Sequence, residues 1–259
     1  MAKPVPPTVS LPAAQHLLVR YAKRGKMRFA SHRDVARAFE RGVRRAGLPI
    51  AYSAGFSPHP KISYAGGAPT GVASEAEYLT LGLTSPRPAD LVRGQLDAVL
   101  PDGIDVLEVT EDAKGSAGES YASEWRVVLP GVRPEAAVEA VTGFLALSHA
   151  PVERRTDKGV RQLDARTAVV EMSVLDADDR DASRRGTVTS QEDCAILRMV
   201  VLHQAPAVRP EDVLTALGAG QGLVPSSPPL TTRLSQYWPG TQYWPELGSA
   251  GTLNGKTVS

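Results

Sequence analysis

The chain has 259 residues, 42% of them hydrophobic, and its 29 Lys and Arg against 28 Asp and Glu leave a net charge of +1. That length holds two modest domains or one large one. No apolar run reaches the ~20 residues of a membrane span, and the N-terminus lacks the apolar core of a secretory signal, so a cytoplasmic protein without membrane contact is expected. The single cysteine, Cys194, excludes an intrachain disulfide. It also cannot supply the three or four thiolates that an iron–sulfur cluster takes, so no cofactor is expected in this chain.

Residues 1–13 are proline-rich and read as a disordered extension. Residues 17–30 read as extended, interrupted at Arg24-Gly25. A helix follows over residues 32–46, with Ser31 and Asp34 as a capping box and Gly47 as its stop. Val35, Phe39, Val43 and Ala46 recur at helical spacing and form its buried stripe. Residues 50–53 and 62–65 read as short strands either side of a Gly/Pro loop. Residues 77–83 alternate as a strand, Pro88 opens a second helix, and residues 104–109 close as a strand. The order is β-α-β-β-α-β, so residues 14–110 are expected to form a ferredoxin-like domain. Residues 111–120 read as a polar linker.

The second half repeats the theme. Residues 121–129 read as a strand, Pro134 opens a helix, residues 152–155 and 165–175 read as a hairpin, and residues 194–202 read as a strand. A last helix begins at Arg209-Pro210. The expectation is an α+β protein with two ferredoxin-like (βαββαβ) domains in tandem and disordered termini, the second domain being residues 121–218. Residues 219–259 read as a flexible tail carrying the repeat Gln236-Tyr237-Trp238-Pro239 and Gln242-Tyr243-Trp244-Pro245.

One stretch stands out by charge. Residues 23–64 hold ten Lys and Arg against Asp34 and Glu40, a net of +8, so the remainder of the chain sums to −7. At ~100° per residue, Arg33, Arg37, Arg41 and Arg44 fall within about 80° of one another, opposite the buried stripe. Helix geometry explains the Val and Phe but does not require four aligned arginines. A solvated helix face is the plain alternative. The loop that follows, Tyr52-Ser53-Ala54-Gly55-Phe56-Ser57-Pro58-His59-Pro60-Lys61, sets aromatics, hydroxyls, an imidazole and a cation together. Aromatics among basic groups suit stacking on bases and pairing with phosphates. The plain alternative is a rigid loop with Phe56 as a core plug.

The runs Lys-Arg-Gly-Lys-Met-Arg-Phe-Ala-Ser-His-Arg-Asp (23–34), Arg-Arg-Ala-Gly-Leu-Pro-Ile-Ala-Tyr-Ser-Ala-Gly-Phe-Ser-Pro-His-Pro-Lys-Ile-Ser (44–63) and Gly-Val-Ala-Ser-Glu-Ala-Glu-Tyr-Leu (71–79) resemble the bacterial radical-SAM-linked family. Members of that family have no established activity and are associated with, or fused to, cobalamin-binding radical SAM proteins. The resemblance covers residues 14–220 and is strongest over 23–80. It implies a radical SAM protein as partner.

Catalytic patterns are few. Phosphate-loop and dinucleotide fingerprints are absent. The five histidines show no paired metal-ligand spacing, so no metal is expected. Glu75 and Glu77 read as a solvated pair. The sharpest catalytic candidate is metal-independent RNA cleavage, with His32 or His59, Tyr52, and Lys26 or Lys61 as base, acid and cation. The preferred expectation is a non-catalytic RNA-binding accessory protein. Lys26, Arg28, Arg33, Arg37, Arg41, Arg44 and Lys61 would contact phosphate, and Tyr52, Ser53, Phe56, Ser57 and His59 would form a base-stacking or ligand loop. The rival is a protein–protein adaptor for the radical SAM partner that touches no nucleic acid.

Overall fold

A computed structural model describes residues 12–54, 56–112, 120–157, 159–175 and 194–238. The expected extension, the linker and the second copy of the Tyr-Trp-Pro repeat fall almost wholly outside these residues. The protein is α+β and divides into two compact units, residues 1–119 and 120–259. Among the described residues, no helix is long and apolar enough to cross a membrane.

Unit 1 contains β1 (Gln15–Lys23), α1 (His32–Arg45), β2 (Ile62–Ala65), β3 (Ala73–Leu83), α2 (Ala89–Asp97) and β4 (Ile104–Glu111). β1 pairs antiparallel with β3 and with β4, and β2 pairs antiparallel with β3. The strands therefore lie in the order β4-β1-β3-β2. Alternation decides the faces: Leu17, Val19 and Tyr21 of β1 and Leu79, Leu81 and Leu83 of β3 join Val35, Phe39 and Val43 of α1 and Val92 and Leu96 of α2 in one core. Tyr21 and Phe39 meet edge to face at 4.7 Å. Gly42 of α1 faces Leu100, where an added Cβ would stand 3.1 Å from a methyl group, so glycine lets the chain after α2 close on α1.

Two expectations in this unit change. The extended run stops at Lys23, because Gly25 takes φ 51° and starts a 3-10 turn over Gly25–Phe29. Residues 50–53 form only isolated bridges, Ile50 to Leu83 and Tyr52 to Pro60, because prolines at 49, 58 and 60 lack the donors a ladder needs.

Unit 2 contains β5 (Ala122–Pro130), α3 (Pro134–Leu145), β6 (Pro151–Thr156), β7 (Gly159–Asp164), a one-turn α4 (Ala165–Ala168), β8 (Val169–Val174), β9 (Cys194–Leu202), α5 (Pro210–Gln221) and β10 (Leu230–Tyr237). β5 pairs antiparallel with both β10 and β9, and β8 pairs with β9. β6 and β7 make a separate hairpin. The expected partnership of residues 152–155 with 165–175 is therefore corrected: β6 pairs with its immediate neighbour, and Asp164 caps α4 by accepting from the Arg166 N–H.

β10 is the larger correction. Residues 230–237 lie inside the expected flexible tail, yet they are a strand beside β5. Its inward positions are Thr231, Arg233 and Gln236, all buried. Arg233 stacks over the Trp125 ring at 5.7 Å. A strand that buries polar side chains leaves no apolar alternation to read.

Candidate functional site

The basic stretch is built on α1. Ser31 caps it: its hydroxyl accepts from the Asp34 N–H at 3.2 Å, and the Asp34 carboxylate accepts from the Ser31 N–H at 3.1 Å. The Ser31 hydroxyl also donates to the Asp34 carboxylate at 2.6 Å; that bond first, then the one from the Ser31 N–H, with the charges of Arg37 and Arg33, holds the Asp34 carboxyl below its ordinary value. Gly47 takes φ 63° and ends the helix. Burial of Val35, Ala38, Phe39, Gly42 and Val43 fixes the rotation of α1. Arg33, Arg37, Arg41 and Arg44 are consequently exposed. None of the four makes a side-chain hydrogen bond or ion pair among the described residues. A charge row of this kind contributes little to folding and remains available to an anion.

The chain leaves α1 and folds into a hairpin. Ala51 N–H donates to the Gly82 carbonyl at 2.7 Å, Lys61 N–H donates to Ala51 at 2.7 Å, and Ser53 N–H donates to His59 at 2.9 Å. The His59 N–H donates to the Ser53 hydroxyl at 3.1 Å. The tip is open: Phe56 is 68% exposed, and Ser57 and His59 are exposed beside it. Phe56 is therefore no core plug. Tyr52, in contrast, packs half-buried against the core and is not a free stacking platform. Because Ile50 bridges to Leu83, the hairpin rises from the end of the sheet that the C-terminus of α1 reaches, nearest Arg44 and Arg45.

The opposite end of unit 1 holds a second group. His32 meets Tyr64 edge to face at 5.1 Å, and Gly67 lies against both the His32 ring and Glu77. Glu77 is buried and accepts from the Ala68 N–H at 3.1 Å. Lys23 is buried and donates to the Ala68 and Pro69 carbonyls at 3.1 and 3.3 Å. Arg28 Nε donates to Gly71 at 2.6 Å, and its guanidinium lies 5.6 Å from the centre of the Phe29 ring. Arg24 pairs with Glu75 and with Asp105. Burial pushes the Tyr64 hydroxyl well above its ordinary value, which disqualifies it as a tyrosinate base.

The sequence-predicted residues thus sort into two sets. Arg41, Arg44, Phe56, Ser57, His59 and Lys61 belong to the hairpin end, with Arg33 and Arg37 extending the row towards the other. Lys26 and Arg28 lie in the 3-10 turn that precedes His32; Lys26 is exposed and Arg28 half-buried. His32 lies against Tyr64 of β2, whereas His59 sits before β2 in the hairpin, bonded to Ser53. Two residues of the basic run are tied to the fold: Lys23 is buried, and Arg24, though exposed, is paired with Glu75 and Asp105. Glu77 is not solvated, as its pairing with Glu75 in sequence suggests. The signal for Lys23 and Glu77 was present in register only, since they lie on neighbouring strands against one glycine-rich loop.

Residues 16–210 match a protein-family model described as an uncharacterized protein conserved in bacteria (DUF2344). No curated protein matches the chain.

Proposed function

The chain belongs to this family of uncharacterized bacterial proteins, and we propose that it is an RNA-binding accessory protein without catalysis of its own. The observation that carries this reading is the exposed, unpaired row Arg33, Arg37, Arg41 and Arg44 beside a hairpin whose Phe56 and His59 rings face solvent. Guanidinium groups take phosphate as bidentate forks, and an exposed aromatic supplies a stacking face for an unpaired base. Both units read as ferredoxin-like, since β4-β1-β3-β2 and β10-β5-β9-β8 are the same antiparallel arrangement of a split βαβ. The resemblance of residues 23–80 to radical-SAM-linked proteins supplies the partner: a cytoplasmic radical SAM enzyme acting in RNA or ribosome maturation, to which this protein presents the RNA.

The test is RNA binding against salt. Log affinity falls with log salt at about −0.7 per phosphate contacted on a single strand. The variant R37A/R41A/R44A is expected to flatten that slope by about 2 units. Wild-type protein that fails to bind RNA at low salt, yet captures the radical SAM partner, replaces this reading with the adaptor. Metal-independent cleavage of a labelled RNA, lost in His32→Ala or His59→Ala, replaces it with an endoribonuclease.

A further inference from the structure

The face of the unit 1 sheet opposite its core contains a hollow of ≈ 200 Å³. Leu79, Leu81 and Leu83 point into the core, so Thr80 and Gly82 point the other way. Gly82 pairs with His16 on one side, and its N–H donates to the Lys61 carbonyl at 3.0 Å on the other. With ~4.8 Å between strands, the middle strand offers no side chain while an imidazole and a lysine stand on either flank. Ser53, Ser63, Pro60 and Ile62 are the other described lining residues. The floor is tight: a Cβ on Gly82 would lie 3.2 Å from the Ala13 Cβ and 3.4 Å from the Lys61 Cβ.

The donors outnumber the acceptors. Among the described residues, no carboxylate lines the hollow. The Asp112 carboxylate accepts from the Thr80 hydroxyl at 3.2 Å, so that proton is committed. The Ser53 hydroxyl oxygen accepts from the His59 N–H, which leaves its own proton free to donate outward. One cation, one imidazole and two hydroxyl donors around a gap fit a compact anion. The volume is below the ~300 Å³ of ordinary small-molecule pockets, so it takes a group and not a nucleotide. We propose that this hollow seats a phosphate monoester or inorganic phosphate, a site separate from the arginine row on α1. The phosphate has two sources, free phosphate or the phosphorylated end of a strand.

The test follows the backbone and ring resonances of His16, Ser63 and Gly82 in the full chain during titration with inorganic phosphate. Saturable shifts at these residues are expected, with affinity about tenfold weaker in Lys61→Ala, the loss of one charge-assisted contact. R37A/R41A/R44A is expected to keep the phosphate response, so the hollow stands or falls independently of RNA binding by the helix. A parallel titration compares one oligonucleotide with a 5′-phosphate and with a 5′-hydroxyl. Preference for the phosphorylated form, lost in Lys61→Ala, identifies a strand end as the source; equal affinity alongside a retained response to inorganic phosphate identifies the free ion. Absence of saturable shifts at His16 and Gly82, or shifts unchanged in Lys61→Ala, overturns the proposal.

Discussion

The two units share a strand order but place their charge in opposite ways. In unit 1 the helix that follows the first strand carries exposed arginines that make no side-chain hydrogen bond or ion pair among the described residues. The equivalent helix of unit 2, α3, has Glu135 and Glu139 and no Lys or Arg. Three arginines of unit 2 are instead tied into the fold. Arg154 donates to the buried Asp212 at 2.7 Å, Arg198 pairs with the buried Glu124, and Arg233 lies over Trp125. Tyr237 closes the second of these by donating to Glu124 at 2.7 Å, and burial, reinforced by that bond, pushes its hydroxyl well up. The same side chain therefore does two jobs. Where it is sealed against a carboxylate or a ring, its removal costs stability. Where it stands alone in water, folding gives no reason for it.

That contrast breaks most sharply at Arg154. Arg154→Ala strands the Asp212 carboxylate in a buried site, and a loss of about 3–5 kcal/mol is expected, read as a lower denaturation midpoint with RNA affinity unchanged. R37A/R41A/R44A is expected to do the reverse. Its RNA affinity falls about a hundredfold, on the order of 1 kcal/mol for each phosphate contact, while stability stays within about 0.5 kcal/mol per site. Triple-variant protein that unfolds readily would erase the distinction between the units. A smaller effect is expected at the cap: Ser31→Ala should cost about 1 kcal/mol by calorimetry.

The smallest effect is in acid. Asp34 binds its proton less readily in the folded chain than in the unfolded one. Its contribution is therefore present above the ordinary value of 3.8 and lost as pH falls below it. Urea midpoints measured from roughly pH 5 down to 3 should decline, and the decline should shrink in Ser31→Ala. An identical acid profile in wild type and variant would remove the capping bonds as its cause.

Much of unit 1 was legible because its signals are local. Val35, Phe39 and Val43 repeat at helical spacing, and Ser31, Asp34 and Gly47 mark the ends of α1. The capping bonds that result are the ones the spacing implies. What the residues alone did not reveal depends on strands far apart in sequence. Gly82 gains meaning only between His16 and Lys61, and Lys23 only against a loop 45 residues later. β10 escaped notice because Thr231, Arg233 and Gln236 are polar yet buried. Within the candidate site, Phe56 and Tyr52 look alike as loop aromatics, and only the hairpin geometry separates the exposed ring from the packed one.

The placement of β10 also sets an order on synthesis. β5 begins at Ala122, yet one of its two neighbours in the sheet ends at Tyr237. Until that late segment emerges, β5 presents an unsatisfied edge to other chains. A fragment cut at residue 210, where the family match ends, would lack the closing strand, and it should aggregate through the very edge that the finished protein covers last.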